Sequence, residues 1–284
     1  MKDTMNTQPS HITATVIADS ISTLGNRITT LQLKYPRFIH SEFMTHRVFS
    51  RNSASSRAIP VAKMIAQVQN DPAMPIYWGL NQPGMQASKE HEDISTAQVL
   101  WKAAAIDAAA SATLLNDLGL HKQIVNRVLE PFQWMHTIVT ATEWDNFFEL
   151  RCHPDAQPEF QALANAMRTA MGESVPVERA NSVQRVESSW HLPYVSDDER
   201  ANLHPHTLPK LSAARCARVS YLKHDGSTPV LLEDIALFER LVGGKPLHAS
   251  PIEHQALAGN SICRSRNFLG WQQYRELFES GIVK

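Results

Sequence analysis

The sequence predicts an α+β domain, a mostly antiparallel sheet flanked by helices. Three observations carry that reading. Two β-branched runs near the N-terminus are joined by a short turn. A long alanine-rich helical run fills the middle of the chain. The remaining strands are too few for the regular strand–helix alternation of a doubly wound sheet. With 284 residues, 43% of them hydrophobic, the chain can fill one large domain or two small ones.

Taken in order, "ITATVIADS" and "RITTLQLKY" read as a hairpin over 12–35, with "TLGN" supplying the turn. "PRFIHSEFMTHR" reads as a helix that starts at Pro36 and places Ile39, Phe43 and His46 on one face. Residues 70–90, rich in proline and glycine, read as an irregular surface loop. The run 94–118 is the long helix, with Gly119 as its C-cap, and a second helix is expected over 121–130 before Pro131. "FQWMHTIVTAT" reads as a strand, "EWDNFFELRC" as a helix, and "AQPEFQALANAMRTAM" as a helix ending at Gly172. Residues 173–210 have no clean period and read as a long connection. "LSAARCARVSY" and "LLEDIALFERLV" are two further helices, the latter stopped by "GGKP".

A net charge of −1 argues against a general grip on nucleic acid or an acidic membrane. No apolar run is long enough to span a bilayer, and the N-terminus lacks the apolar stretch of a signal peptide. Cys152, Cys216 and Cys263 are odd in number and form no CxxC pair. A reducing cytoplasm is therefore the expected location. The histidines form no HExxH or Cys/His cluster, so no metal is expected. No GxGxxG, P-loop or GxSxG is present.

The densest chemistry lies in "EFMTHRVFSRNSASSRAIP", residues 42–60, where His46, Arg47, Arg51 and Arg57 stand among serines. Guanidinium groups grip phosphate oxygens bidentately, and serine hydroxyls add donors. Arg127 and Arg151 are similar candidates. Ser55 is a nucleophile in principle, with no activating base marked beside it. Residue chemistry alone reaches a phosphorylated small-molecule ligand.

"HRVFSRNSASSR" resembles the signature of flavin-dependent thymidylate synthases, an RHR followed after seven residues by a serine. Here it reads Thr45, His46, Arg47 and then Ser55. "RVLEP" from Arg127 and "NFFELRCHPDAQPE" from Asn146 resemble two further blocks of that family. "CARVSY" (216–221) and "HASPIEH" (248–254) resemble blocks that precede the RHR in the family but follow it here. The resemblance implies a single domain over 1–284 whose order looks circularly permuted: 12–172 carries the signature, 173–210 joins the usual chain ends, and 211–284 is the rotated part.

The resemblance implies reductive methylation of dUMP at C5, with methylenetetrahydrofolate as carbon donor, FAD as cofactor and NADPH as reductant, in a homotetramer. It implies that His46, Arg47, Asn146, Leu150, Ser220, His248, Ser250 and Glu253 contact FAD. It further implies that Glu42, Ser55, Ser56, Arg57 and Arg127 hold the nucleotide, and that Arg151 faces the pyrimidine with Ser55 as a second catalytic candidate.

Several positions depart from the family pattern. Thr45 replaces the first arginine, Glu42 a glutamine, Ser53 a glutamate and Ser56 a glycine; Thr142 replaces an arginine and Asp155 a histidine. Glu42 exchanges an amide donor for an acceptor, which suits the 4-amino group of cytosine. The alternatives are thus a related enzyme adding a methyl or hydroxymethyl group to dUMP or dCMP, and a flavin- or nucleotide-binding protein without catalysis.

Overall fold

A computed structural model describes residues 11–181, 187–220, 223, 226–259 and 262–283. The β-branched runs form the expected hairpin, β1 (Thr13–Ser22) and β2 (Arg27–Pro36). Its turn passes through Gly25 at φ +87°, a conformation that costs glycine little. β3 (Ser50–Ser53) and β4 (Trp134–Ala141) extend the sheet beyond β2, and β5 (Val177–Arg179) lies beside β1. All pairings are antiparallel except β5 on β1. The expected α+β class with a mostly antiparallel sheet is therefore present. β3 falls in the polar stretch that offered no strand signal.

Both faces of the sheet are covered, so β2 reads as a nearly continuous buried run. Leu31, Leu33 and Tyr35 face an aromatic core with Phe43, Phe49, Phe147 and Phe160. The alternate residues face the C-terminal third of the chain: Thr30 bonds His191, Gln32 bonds Tyr194, and Ile28 packs with Trp271.

The helix expected to run through Arg47 is shorter. A 3-10 turn, Arg37–Ile39, leads into α1 (His40–Phe43). Arg51 Nη1 then donates to the carbonyls of Met44 (2.8 Å) and His46 (2.9 Å), which caps the turn and bends the chain into β3. Arg51 is thus occupied by backbone carbonyls. α2 (Val61–Asn70) packs Met64 and Val68 on the alanine face Ala105, Ala109 and Ala112 of α3 (Ile94–Asp117). Gly119 follows at φ +81°, as expected of a C-terminal glycine.

The helix expected over 121–130 is only α4 (Lys122–Val125), followed by a 3-10 turn at Glu130–Phe132. Asn126, fully buried, donates instead to the carbonyls of Ser56 and Ile59, and the carbonyl of Asn126 accepts from Gln133. α5 (Asp145–Arg151) and α6 (Pro158–Glu173) match expectation, although α6 runs through Gly172 rather than stopping there.

Residues 173–210 are more than a connection. Besides β5 they contain β6 (Trp190–His191), α7 (Asp197–Asn202) and the start of α8 (Leu208–Arg218); 182–186 lie outside the described residues. Trp190, His191 and Leu192 are buried. A capping box between Ser196 and Glu199 starts α7. The helix expected in "LSAARCARVSY" ends at Arg218, and Tyr221 lies outside the described residues. α9 (Leu231–Phe238) follows. β7 (Ala256–Ala258) pairs with β6, β8 (Arg264–Ser265) pairs with β9 (Phe268–Leu269), and β10 (Trp271–Gln273) completes the β6–β7 sheet. No described helix is long and apolar enough to cross a membrane.

A buried polar chain joins the two parts across the sheet. Ser20 Oγ meets His191 Nδ1 at 3.0 Å, and His191 Nε2 meets Thr30 Oγ1 at 2.8 Å. Thr30 Oγ1 meets Thr140 Oγ1 at 2.7 Å, and Thr140 Oγ1 meets His254 Nδ1 at 2.8 Å. Burial holds both imidazoles neutral, pushing His254 down to about 3 and His191 well below its ordinary value.

Candidate functional site

Arg151, the last residue of α5, meets the turn after α1. Its Nε donates to His46 Nε2 at 3.0 Å, and its Nη1 lies 3.4 Å from Glu42 Oε2. The guanidinium carbon sits 4.4 Å from the centre of the Phe160 ring, a cation–π contact. Because Nε2 accepts, the His46 proton is on Nδ1 and the ring is neutral. Burial, and then the charges of Arg151 and Arg51, push its pKa down to about 4. Phe147 holds the other side of the ring, edge-on at 4.9 Å. A fixed guanidinium beside a neutral imidazole and a half-exposed carboxylate is thus built from two of the segments singled out in the sequence.

Glu42 and Arg151 line a cavity of about 710 Å³, within the ~300–1,000 Å³ range of small-molecule sites. Its opposite wall is the segment expected to be a surface loop. Tyr77 and Met85 come from that segment, and Trp101 from α3. The segment is pinned at several points. The Ile76 amide donates to Glu159 Oε1 (2.8 Å), Trp101 Nε1 donates to the carbonyl of Ala73 (3.0 Å), and the Gln86 amide donates to the carbonyl of Asp155. A side chain at Gly79 would bring its Cβ within 2.3 Å of Ala87 Cβ, so the two arms close only on glycine. The surface-excursion expectation for 70–90 is therefore corrected: this segment builds a wall of the cavity.

A second cluster forms beyond β3. Ser55 and Arg57 are exposed, with Ser55 Oγ accepting the Arg57 amide, while Ser56 is buried. Asn126 ties this turn to its own neighbour, Arg127, through the Ser56 carbonyl at 2.7 Å. Arg127 pairs with Glu130 at 2.6 Å, and Arg37 shares that carboxylate at 2.7 Å. Lys122 Nζ reaches the carbonyl of Ala58, adding a cation that spacing alone did not mark.

The third group is split between α5 and the C-terminal part. Asn146 and Leu150 are exposed, one turn apart on α5, and Arg47 is exposed beside His46. Ser250–Glu253 form a 3-10 turn packed on β3. Gln273 Nε2 donates to both Ser50 Oγ and the Glu253 carbonyl (3.3 Å each), and Asn267 Nδ2 donates to the Val48 carbonyl (2.9 Å). The C-terminal part is therefore docked on the 42–60 segment. His248 and Ser250 are exposed, Glu253 pairs with Arg275, and Ser220 follows Val219, which sits at φ 58°.

The departures from the family pattern have local roles. Thr142 Oγ1 accepts the Leu269 amide (3.0 Å), Ser53 Oγ bonds Thr137 (2.9 Å), and Thr45 Oγ1 donates to the Glu42 carbonyl (2.7 Å). Tyr77 and Trp101 were missed in the sequence. The available signals were a lone tryptophan in an alanine-rich helix and the aromatic pair in "PIYWG".

A model of the family described as thymidylate synthase complementing protein matches residues 4–177, and the chain belongs to that family. Among solved structures, the chain is similar to a UMP/dUMP methylase, PolB from Streptomyces cacaoi, bound with 5-Br UMP: 18% identity and TM-score 0.47, covering 57% of this chain and 89% of that one. The form of PolB bound with 5-Br dUMP gives 17% identity and TM-score 0.47, covering 57% and 90%. Among curated proteins there is no significant match.

Proposed function

We propose that this protein is a flavin-dependent thymidylate synthase. It transfers a one-carbon unit to C5 of dUMP, with methylenetetrahydrofolate as donor, FAD as cofactor and NADPH as reductant. The observation that carries this reading is Arg151, fixed by His46, Phe160 and Glu42 at a cavity wall in a chain of this family. A held guanidinium stabilises negative charge as it develops on a pyrimidine ring. His46, neutral and accepting, sets the direction of that guanidinium. Ser55, Ser56, Arg57 and Arg127, with Lys122 beside them, suit the nucleotide phosphate and sugar.

The donor set fits a flavin dinucleotide. Arg47, Asn146, His248 and Ser250 are exposed and make no side-chain hydrogen bond among the described residues, and Arg275 neutralises Glu253. One cation with several neutral donors suits a diphosphate; Leu150 and Ser220 complete the set. FAD, when bound, supplies the hydride for the reduction. The exposed outer face of α3, with Val99, Ile106 and Leu114, supports assembly as a homotetramer. Three free cysteines suit a cytoplasmic location. The reading includes a rotated block order in one domain, which rests on the resemblance of 216–221 and 248–254 to blocks that precede the signature in the family.

The test is tritium release from C5-labelled dUMP, with dCMP in parallel, in the presence of FAD, NADPH and methylenetetrahydrofolate. Release from dUMP supports the reading. Release from dCMP alone moves the substrate to cytosine, and release from neither overturns the reading.

A further inference from the structure

The cavity beside Arg151 has a composition that selects what enters it. Among the described residues its charged lining is Glu42, Asp155 and Glu159 against one cation, Arg151. Three carboxylates against one guanidinium repel a phosphate, whose cations lie instead around the Ser55–Arg57 turn. Glu159 is spent on the Ile76 amide and on Gln157. Glu42 is not spent: it is half-exposed, and its side chain meets only Arg151 among the described residues, at 3.4 Å. The remaining wall is aromatic. Phe38 and Trp101 meet edge-on at 6.2 Å, and Tyr77 comes from the pinned segment. Aromatic walls hold planar rings by stacking on their faces.

We infer that this cavity binds a planar heteroaromatic ring carrying an exocyclic amino group, stacked on the wall of Phe38, Tyr77 and Trp101 with its N–H edge on the Glu42 carboxylate. The acceptor-rich lining asks for a donor-rich ligand, and an amino group presents two N–H bonds from one atom. Arg151 beside Glu42 supplies the complementary donor for the ring nitrogen or oxygen next to that amino group. The inference rests on the proposed function for the placement of Arg151 at a reacting ring. Two sources share this chemistry: the aminopyrimidine of a cytosine nucleotide, and the 2-amino ring of a reduced folate.

The test is calorimetric titration of the purified full-length protein with dCMP, dUMP and tetrahydrofolate. Wild type is compared with Glu42→Leu and Tyr77→Ala; Glu42 is half-exposed and Leu is close to it in size, so the first variant keeps the fold. The expected result is that one amino-bearing probe weakens roughly tenfold or more in Glu42→Leu. The same probe weakens in Tyr77→Ala, and dUMP is much less affected by Glu42→Leu. Weakening of dCMP assigns the ring to the nucleotide, and weakening of tetrahydrofolate assigns it to the carbon donor.

The inference is overturned if neither amino-bearing probe binds, if neither depends on Glu42, if dUMP weakens equally, or if Tyr77→Ala leaves the affected probe unchanged. The readout is binding and needs no turnover. A protein that releases no tritium yet shows this Glu42 dependence refutes the proposed function and leaves the inference standing.

Discussion

Thr140→Val is expected to destabilise the protein by about 2 kcal/mol through one stranded group, the ring of His254. Thr140 Oγ1 is the single partner of His254 Nδ1, at 2.8 Å, and His254 Nε2 has no partner among the described residues. Both residues are fully buried. Valine keeps the shape of threonine, so no cavity opens, and Thr30 keeps its bond to His191 at 2.8 Å. What remains is an imidazole without hydrogen bonds in a dry interior, at a cost of ~1–3 kcal/mol.

Thr137→Val is the control. Its hydroxyl is equally buried between Tyr35 and Ser53, but Tyr35 retains His40 at 2.9 Å and half-exposed Ser53 can turn to water, so the loss should be smaller. Urea midpoints at constant m value measure all three proteins. Adding His254→Leu to Thr140→Val should cost less than the sum of the single changes, because the stranded group is then gone. A Thr140→Val loss below about 0.5 kcal/mol, or strict additivity with His254→Leu, would refute the reasoning.

Other outcomes follow from the same geometry. His254 near 3, with His40 and His46 near 4, are depressed from 6.5 mainly by burial, so below pH 6.5 the unfolded chain takes up protons that the folded one refuses. The thermal midpoint should therefore be steady above about pH 6.5 and fall as the pH drops toward 4; a midpoint that rises on acidification would count against this. Gly79→Ala should part the arms of the cavity segment, read as faster proteolysis between 76 and 90, and an unchanged digestion pattern would show that the closure tolerates a side chain. Arg151→Lys keeps the charge but loses the Nε donor to His46 and the planar face on Phe160. Tritium release should drop roughly 100-fold with the fold intact, and near-normal release would mean that charge alone suffices.

The hairpin, the long helix, β4, α5 and α6 were legible because each carries a local pattern: β-branched alternation, alanine content, or one apolar helical face. The ends of α1 and α4 were not, because distant side chains set them. Arg51 takes the carbonyls that would have continued α1, and buried Asn126 takes the carbonyls of Ser56 and Ile59. The stretch 173–210 looked like a tether because its apolar residues are scattered among polar ones and the buried run at its centre, 189–193, is too short to show a period. Motif resemblance marked His46, Arg151 and Glu42. Only folding could show that residues 75–87 line the cavity beside Glu42 and Arg151, because that segment is held by Glu159 and Trp101, which are remote in sequence.

The proposed rotation of the block order has a physical counterpart in that misread stretch. A simple tether between former chain ends would be exposed and free of the core. Here β5 extends the main sheet beside β1, and β6 extends the second sheet beside β7. Between those strands and Thr30 stands His191, whose two ring nitrogens bond Ser20 and Thr30. The polar chain then continues through Thr140 to His254, the last residue of the "HASPIEH" block. One imidazole from the 173–210 stretch and one from the 248–254 block are thus fixed to hydroxyls of the main sheet. Buried hydroxyls and imidazoles must find partners or be costly, so this chain favours one docking register over a slide of the C-terminal part along the sheet. That register is also what puts Ser250–Glu253 on β3, the strand that follows the turn carrying His46 and Arg47. The fixed join therefore belongs to the candidate site as much as the arginines do, since a shift of the docked block would separate the two halves of the proposed flavin contacts.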